Sequence, residues 1–171
     1  GNLAGHVWKA GIFMLEKMAC DLTFLQDKHI LELGCGTGFL SIACDLLLSQ
    51  SGGGQYQIVA TDLECVLDAV RENVRFNSAE HVQVQELEWG VADIHQFHPP
   101  DVVIMADVAY GKEGIAKLVN TLAALCGPRT IVMHALQQRR YTDFFFEEMQ
   151  ARGFSHNEVA RDQDVSYVRH Y

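Results

Sequence analysis

The stretch ILELGCGTGFL, residues 30–40, contains an apolar run with an acid, then three glycines at alternate positions, then a second apolar segment. This order predicts a buried strand that turns directly into a helix. Glycine is needed at such a turn because a Cβ would block backbone that has positive φ or that runs close to a bound molecule. The stretch therefore predicts a strand, a helix and a ligand at the turn between them.

The spacing of the glycines indicates which ligand the turn suits. Dinucleotide sites have the pattern G-x-G-x-x-G, with the pyrophosphate at the N-terminus of the following helix. Here Phe39 occupies the place of the third glycine, and no Lys-Ser or Lys-Thr pair follows to form a phosphate-binding P-loop. Gly34, Gly36 and Gly38, preceded by Glu32, instead fit a nucleoside without a phosphate tail, for which S-adenosylmethionine (SAM) is the candidate.

Outward from this turn, segments typical of strands and of helices alternate along the chain. Helices are predicted at residues 6–25, 40–48, 66–77, 115–122 and 141–152. Strands are predicted at residues 29–33, 57–61, 82–86, 101–105, 130–134, 154–159 and 166–170, the last two as an antiparallel pair. The alternation predicts an α/β, Rossmann-like fold with a mostly parallel seven-stranded sheet, helices on both faces and a single domain over residues 1–171.

Ligands in such folds bind beyond the carboxyl ends of the parallel strands, so the residues that follow each strand are site candidates. Asp62 follows the second strand, where a carboxylate can accept both hydroxyls of a ribose. Asp107 follows the fully apolar fourth strand, at the expected mouth of the pocket. Each acid has helix N-capping as its alternative role. Trp89, after the third strand, either lies against an adenine ring or is a half-buried core residue.

Other polar residues give weaker signals. His134, at the end of the predicted fifth strand, is expected to be structural, with substrate contact as the alternative. Arg139-Arg140 is expected to be a solvated pair at the start of a helix. His95 and His98 suggest a metal pair, but metal sites need three or four convergent ligands, so no metal is predicted.

Composition excludes several classes of protein. Of the 171 residues, 49% are hydrophobic and 20% are charged, which is enough apolar surface for a core. The net charge of −9, from 13 basic and 22 acidic side chains, disfavours a nucleic-acid binder, because such proteins gain affinity from Lys and Arg on phosphates. The same charge suits a basic protein segment as partner. No apolar run of about 18 residues occurs, so no membrane span is expected.

The cysteines indicate the compartment. Their number, five, is odd, no C-x-x-C motif occurs, and most lie in apolar runs. Buried free thiols of this kind are typical of a reducing compartment. We therefore expect a cytoplasmic protein, with the nucleus as a further location.

Six motifs occur along the chain in the order of one family. They are W-K-A at 8–10, L-E-L-G-C-G-T-G at 31–38, A-T-D-L at 60–63, N-V-x-x-N at 73–77, L-E-W-G at 87–90 and A-D-V-A-Y at 106–110. Together they resemble the seven-β-strand protein-lysine methyltransferases that carry a D-x-x-Y motif, and the resemblance runs from Gly5 to about Phe154. The glycine turn is shared by all Rossmann-like methyltransferases, whereas the early Trp, L-E-W-G and D-x-x-Y are more restrictive. One departure is Lys9, where the family often has proline.

The resemblance implies a class I SAM-dependent methyltransferase fold and a protein-lysine N-methyltransferase activity, with S-adenosylhomocysteine as the cofactor product and no metal. It implies that Asp107 and Tyr110 face the methyl-accepting lysine. It implies cofactor contacts from Trp8, Glu32, Gly34, Cys35, Gly36, Asp62, Leu63, Trp89 and Ala106. The expected partner is a protein substrate such as a chaperone, a translation factor or a calmodulin-like protein, and a monomer is expected.

Two other functions stay open at this point. One is a SAM-dependent methyltransferase that acts on a small molecule or a nucleic acid. Enzymes that methylate base amines carry D/N-P-P-Y/F after the fourth strand, whereas residues 107–110 here read D-V-A-Y. The other is a non-catalytic interaction module with the same fold, against which the intact glycine turn, Asp62 and Asp107 argue.

Overall fold

The computed structural model describes residues 5–52, 54–91 and 94–171, in which strands and helices alternate. The strands are β1 (His29–Leu33), β2 (Gln57–Asp62), β3 (Val82–Glu86), β4 (Val102–Ala106), β5 (Ile131–Gln137), β6 (His156–Asp162) and β7 (Val165–His170). The α-helices are α1 (Lys9–Met18), α2 (Phe39–Gln50), α3 (Glu64–Phe76), α4 (Lys112–Leu125) and α5 (Thr142–Ala151). Short 3₁₀ helices lie at Thr23–Leu25 and Ile94–Gln96.

The strands form one sheet in the order β3-β2-β1-β4-β5-β7-β6. β1 lies between β2 and β4 and is parallel to both, whereas β7 is antiparallel to β5 and β6. The chain builds one half of the sheet, returns to the middle with β4 and then builds the other half. This confirms the predicted mostly parallel seven-stranded sheet. It also puts the carboxyl end of β1 beside the reversal of strand order, where open α/β sheets bind ligands.

The buried apolar side chains form two clusters, one on each face of the sheet. Along β1, Ile30 belongs to the first cluster, and Leu31 and Leu33 belong to the second. They separate because successive side chains of a strand point to opposite faces. Helices α1, α2 and α3 contribute to the first cluster, and α4 and α5 contribute to the second. The predicted cover of helices on both faces is confirmed.

The first helix differs from its prediction in the face that it buries. The predicted apolar stripe runs through Trp8, Ile12, Leu15, Ala19 and Leu22, but Trp8 is 37% exposed and Ile12 is 44% exposed. The buried residues of α1 are Ala10, Gly11, Phe13, Met14 and Met18. Two stripes with helical spacing overlap in this segment. The buried stripe contains the small residues Ala10 and Gly11, which let the helix approach its neighbours closely, and Phe13, Met14 and Met18 fill the core beside them.

The first helix is also shorter than the predicted 6–25, since α1 ends at Met18. Shortly after this end, the carboxylate of Asp21 accepts hydrogen bonds from the backbone N–H of Thr23 at 3.0 Å and from its hydroxyl at 2.6 Å. Local bonds of this kind stabilise a turn in place of helix. The fifth strand is longer than the predicted 130–134, because β5 continues to Gln137, which still pairs with Val165 of β7.

The loop between α2 and β2 begins after Gln50, the last residue of α2, and it includes Gly53, which is not among the described residues. The single domain predicted for residues 1–171 stays a prediction. None of the helices in the described ranges has the length and apolar character that crossing a bilayer requires.

His134 lies inside the protein, not at a strand end near the pocket. It and His170 are both 0% exposed, and His134 packs edge-on against Phe145 at 4.8 Å between ring centroids. Within the part of the chain that the structure describes, no hydrogen-bond partner reaches either ring nitrogen of these two histidines. Burial lowers the pKa of His170 to about 3, with the nearby His156 adding to the effect, and it lowers the pKa of His134 well below 6.5. The expected structural role is therefore the better interpretation of His134.

We expect His170→Phe to make the protein less sensitive to acid. The folded pKa lies below the unfolded value of 6.5, so the stabilisation from neutral His170 is complete above pH 6.5 and is lost as pH falls toward 3. At pH 5 the loss is about 2 kcal/mol. Urea unfolding at pH 7.5 and pH 5 should show the variant gaining that amount relative to the parent protein. A difference between the two proteins that is the same at both pH values contradicts this prediction.

Candidate functional site

A crevice opens at the carboxyl ends of β1, β2 and β4, beneath the start of α1. It has about 220 Å³ of space that a water-sized molecule can occupy, and it is open to solvent at its mouth. Its lining includes the predicted residues Trp8, Glu32, Gly34, Cys35, Gly36, Asp62, Trp89, Ala106, Asp107 and Tyr110. The crevice thus brings together residues that lie far apart in the sequence, as expected at the carboxyl ends of parallel strands.

Leu63 is the one predicted cofactor residue that the structure does not bring into the crevice lining. It is the N-cap residue of α3, and its side chain is 47% exposed. Its backbone N–H donates to Asp62 Oδ1 at 2.8 Å. Leu63 therefore contacts the site through its own main-chain N–H, which bonds the Asp62 side chain, and its predicted contact with the cofactor stays a prediction.

The glycine turn has a backbone that other residues adopt only with strain. Gly34, Gly36 and Gly38 have φ of +67°, +55° and +78°. A Cβ on Gly34 would lie 2.7 Å from Val108 Cγ1 and 3.2 Å from the Trp89 ring, so the turn is also packed too tightly for a side chain. The predicted need for glycine at this turn follows from both facts.

Asp62 clamps the glycine turn to the next strand. Its Oδ2 accepts the backbone N–H of Gly36 at 2.8 Å, and the Cys35 N–H donates to the carbonyl of Thr61 at 2.9 Å. The alternative of an N-cap is wrong for Asp62, because α3 has Leu63 at that position and no side-chain capping bond. Each carboxylate oxygen carries two lone pairs, so Asp62 keeps acceptor capacity for a ligand hydroxyl.

Glu32 is a buried acid in the lining of the crevice. It is 3% exposed, and its Oε2 accepts hydrogen bonds from the backbone N–H and the hydroxyl of Ser41 at 3.0 and 2.5 Å. Burial raises the pKa of Glu32 to about 7; the charge of Asp62 adds to this rise, and the bonds from Ser41 oppose it. A cation bound beside Glu32 would stabilise its charged form.

Trp89 is a half-buried core residue that also lines the crevice, and its predicted contact with adenine stays a prediction. Its ring packs against the second apolar cluster and stands over Gly34. The loop that carries it is held by Gly90, which has φ of +80° and whose N–H donates to the Thr121 hydroxyl oxygen at 2.9 Å. The ring therefore has a fixed position beside the glycine turn.

Asp107 sits at the wall of the crevice in a strained backbone conformation. Its φ is +55°, which is rare for a residue with a side chain, and its N–H donates to the carbonyl of Ala135 at 2.8 Å. The side chain is 7% exposed. It does not cap a helix, since the N-cap of α4 is Gly111. Tyr110, three residues later, is 52% exposed at the mouth.

Arg139 belongs to the site although the sequence predicted a solvated side chain. Its Nη2 lies 2.5 Å from Asp107 Oδ2, and its guanidinium carbon lies 5.9 Å from the centroid of the Trp8 ring. The side chain is 41% exposed, in agreement with the predicted solvated pair, but its contact with Asp107 was not predicted, because the predicted fifth strand ended at His134. With β5 ending at Gln137, Arg139 is the second residue after that strand, close to the crevice, whereas Asp107 is the first residue after β4.

The chemistry of the crevice fits SAM. Two acids are available for a ribose diol and a cationic amino group, an aromatic ring is available for adenine, and a turn without side chains permits close approach. Among residues 5–52, 54–91 and 94–171, no group of three metal-ligating side chains is arranged to hold an ion. The side chain of His95, one half of the weak metal pair, lies outside the described atoms.

Comparisons with known proteins agree with this geometry. A family model described as lysine methyltransferase matches residues 1–152. EEF1A lysine methyltransferase 3 of Xenopus tropicalis is 30% identical over 167 residues, which cover 95% of this chain and 71% of the relative. Protein N-lysine methyltransferase METTL21A of Mus musculus is 29% identical over 169 residues, which cover 95% of this chain and 74% of the relative.

The fold agrees with solved structures as well. Fibrillarin from Aeropyrum pernix, in complex with natively bound S-adenosyl-L-methionine, superposes with a TM-score of 0.72 at 15% identity. The match covers 96% of this chain and 76% of that chain. The architecture is that of class I SAM-dependent methyltransferases.

We expect Gly34→Ala to destabilise the protein by about 2 kcal/mol or more, because it combines a strained φ with a clash. Gly52→Ala is the matched control: Gly52 has φ of +70°, but nothing lies within 4 Å of its added Cβ. The control therefore reports the cost of φ alone. Urea unfolding should show a larger loss of stability for Gly34→Ala, and equal losses for the two variants contradict the packing argument.

We expect Glu32→Gln to stabilise the ligand-free protein above neutral pH. The pKa of Glu32 rises from 4.5 to about 7 on folding, so its favourable contribution is complete below pH 4.5 and is lost as pH rises through 7. An amide carries no charge, and the variant should gain about 3 kcal/mol relative to the parent protein between pH 4.5 and 8. Unfolding free energies that differ by the same amount at both pH values contradict this.

Proposed function

This chain belongs to the lysine methyltransferase family, and we propose that it transfers the methyl group of SAM to its acceptor at the mouth of the crevice, beside Asp107 and Tyr110. Its activity is SAM-dependent methylation of a protein lysine ε-amine. The observation that carries the proposed site is the Asp107 carboxylate, 7% exposed in the same lining as the glycine turn. An acid in this position can reach both a bound nucleoside and an amine that enters from outside.

The cofactor residues divide by chemistry. Asp62 is proposed to accept the ribose hydroxyls, Glu32 to face the cationic amino group, and Trp89 to cover the adenine ring. Gly34, Cys35 and Gly36 are proposed to offer backbone to the ligand, with Trp8, Leu63 and Ala106 as further contacts. Support comes from their common crevice, Leu63 excepted, and from the bond of Asp62 to the turn that holds both in register.

Alignment of the acceptor is the main task of the protein. Bound SAM supplies a methyl group on a positively charged sulfur, which is already a good leaving group. Asp107 is proposed to accept a hydrogen bond from the acceptor amine and to aim its lone pair, while Tyr110 forms one wall of the entrance. A carboxylate beside an ammonium raises the pKa of that ammonium, so Asp107 alone would oppose deprotonation. We therefore assign it to positioning, with a water molecule taking the proton.

The substrate is proposed to be a translation factor, with a chaperone as the alternative. Two relatives, from Xenopus tropicalis and Mus musculus, are EEF1A lysine methyltransferase 3, and each is 30% identical to this chain. The net charge of −9 suits a basic segment of a partner protein. A monomer and a cytoplasmic and nuclear location are also proposed, and the five free thiols support a reducing compartment.

Incubation with radiolabelled SAM tests the proposal. The protein is mixed with purified EEF1A in one reaction and with a heat-treated cell lysate in another. We expect label in a protein band and, by mass spectrometry, on a lysine. Label in RNA or in small molecules would favour the other methyltransferase functions, and no label at all would favour a non-catalytic module.

We expect Asp107→Asn to reduce transfer at least ~100-fold, because an amide cannot position the amine as a carboxylate does. The affinity for S-adenosylhomocysteine, whose sulfur is uncharged, should change less than about threefold by calorimetry, since Asp107 is not assigned to the cofactor. Asp68→Asn is the matched control, because Asp68 is an exposed acid on α3 that pairs with Arg71. Full transfer by Asp107→Asn, or loss of S-adenosylhomocysteine binding together with transfer, contradicts the assignment.

A further inference from the structure

The Asp107 carboxylate is paired with the guanidinium of Arg139. Arg139 Nη2 approaches its Oδ2 to 2.5 Å, and the exposed fractions of the two side chains are 41% for Arg139 and 7% for Asp107. The proposed acceptor site therefore contains a cation as well as an anion. Any amine that enters meets the sum of the two charges, not the carboxylate alone.

The guanidinium is held in place from several directions. Arg139 Nη2 also donates to Gln137 Oε1 at 3.3 Å, and Gln137 Nε2 donates in turn to Asp164. The Trp8 ring lies 5.9 Å from the guanidinium carbon, within the range of cation–π contacts. The Arg139 side chain thus contacts Asp107, Gln137 and the Trp8 ring, and Gln137 is held in turn by Asp164.

The main chain of Arg139 is anchored as well. Its N–H donates to the Thr142 hydroxyl oxygen at 2.8 Å, and its carbonyl accepts the N–H of Thr142 at 3.1 Å. Thr142 is 3% exposed and begins α5. A residue whose backbone and side chain are both held costs little further entropy to keep in position. These contacts argue that Arg139 stays beside Asp107.

The Asp107 carboxylate favours the protonated form of the acceptor lysine, and a fixed guanidinium beside it opposes this effect. A free lysine, with a pKa of ~10.4, is mostly an ammonium at neutral pH, and an ammonium has no lone pair to attack a methyl group. A lone carboxylate would hold the acceptor in that unreactive form, whereas an added cation disfavours it. Arginine suits this task because its guanidinium stays charged across the accessible pH range.

We propose that Arg139 is a positioning residue whose guanidinium balances Asp107, so that the site accepts the target lysine as a neutral amine and disfavours its ammonium form. The inference rests on the proposed function, since it takes Asp107 as the residue that faces the acceptor. The other titratable groups of the crevice lining are His6, Glu32, Cys35, Asp62 and Tyr110, and Lys9 and Asp164 lie nearby. Within the described residues, Arg139 is the titratable group of this lining that forms a hydrogen bond and an ion pair with Asp107.

A pair of cofactor analogues measures this balance without a protein substrate. In sinefungin a carbon that bears a primary amine replaces the methyl-bearing sulfur of SAM, so this amine takes the place of the methyl group. S-adenosylhomocysteine has neither this amine nor the methyl group. The ratio of their affinities, by calorimetry at pH 7.5, reports how strongly the acceptor side of the site attracts an ammonium. We expect Arg139→Met and Arg139→Gln each to raise the ratio in favour of sinefungin about tenfold, because the carboxylate loses its counter-charge.

Controls separate charge from folding. Arg139→Lys keeps a cation and should leave the ratio within about twofold of the parent value. Arg140→Met removes a neighbouring cation that lies over the Tyr141 ring and should leave the ratio unchanged. A variant counts as folded if its affinity for S-adenosylhomocysteine is within threefold of that of the parent protein. Two neutral substitutions are used, so that the test can still be made if one of the two variants does not fold.

The outcomes distinguish this inference from the proposed function. Asp107→Asn should lower the ratio about tenfold, since it leaves the guanidinium unpaired beside the amine. If Asp107→Asn changes nothing, Asp107 does not face the methyl position and the proposed function loses its acceptor residue. If Asp107→Asn lowers the ratio but the neutral Arg139 variants leave it unchanged, the role of Arg139 alone is overturned. An equal rise with Arg139→Lys also overturns it, because that variant keeps the charge.

Discussion

Three positive φ angles within five residues make the site possible. Gly34, Gly36 and Gly38 let the chain leave β1 and enter α2 at once, with the packed ring of Trp89 on one side and the Asp62 carboxylate on the other. A Cβ at Gly34 would displace Val108, the residue after Asp107, and would so disturb the acceptor side as well. The proposed cofactor side and the proposed acceptor side of the crevice therefore both depend on this one turn, which lies where the order of the strands reverses.

The charged residues of the crevice form two groups. Glu32 and Asp62 lie on the cofactor side, and burial keeps the pKa of Glu32 near 7, so a bound cation determines whether it is ionised. On the acceptor side, Asp107 and Arg139 are already paired. In the proposed arrangement a cationic cofactor would meet two unpaired acids, whereas the incoming amine would meet a carboxylate that is already paired with a cation. This division follows from which strand carries which residue, and it needs no movement of the chain.

Sequence patterns predicted the parts of the site that local chemistry determines. β1 was predicted to the residue, because its apolar run stops at a glycine, and Asp62 and Asp107 were found because each follows an apolar strand. The buried face of α1 was wrong, since two stripes of helical spacing overlap and only packing on the sheet selects one of them. Arg139 was missed because β5 is extended by pairing with β7, a contact between distant residues that has no local signal.

The central claim is that SAM lies over the glycine turn with its reactive methyl group directed at Asp107. A crystal structure with S-adenosylhomocysteine bound tests it most directly. We predict the ribose hydroxyls on Asp62, the adenine against Trp89 and the sulfur on the side of the crevice that carries Asp107 and Arg139. A ligand bound elsewhere, or one whose sulfur points away from Asp107, would contradict the account.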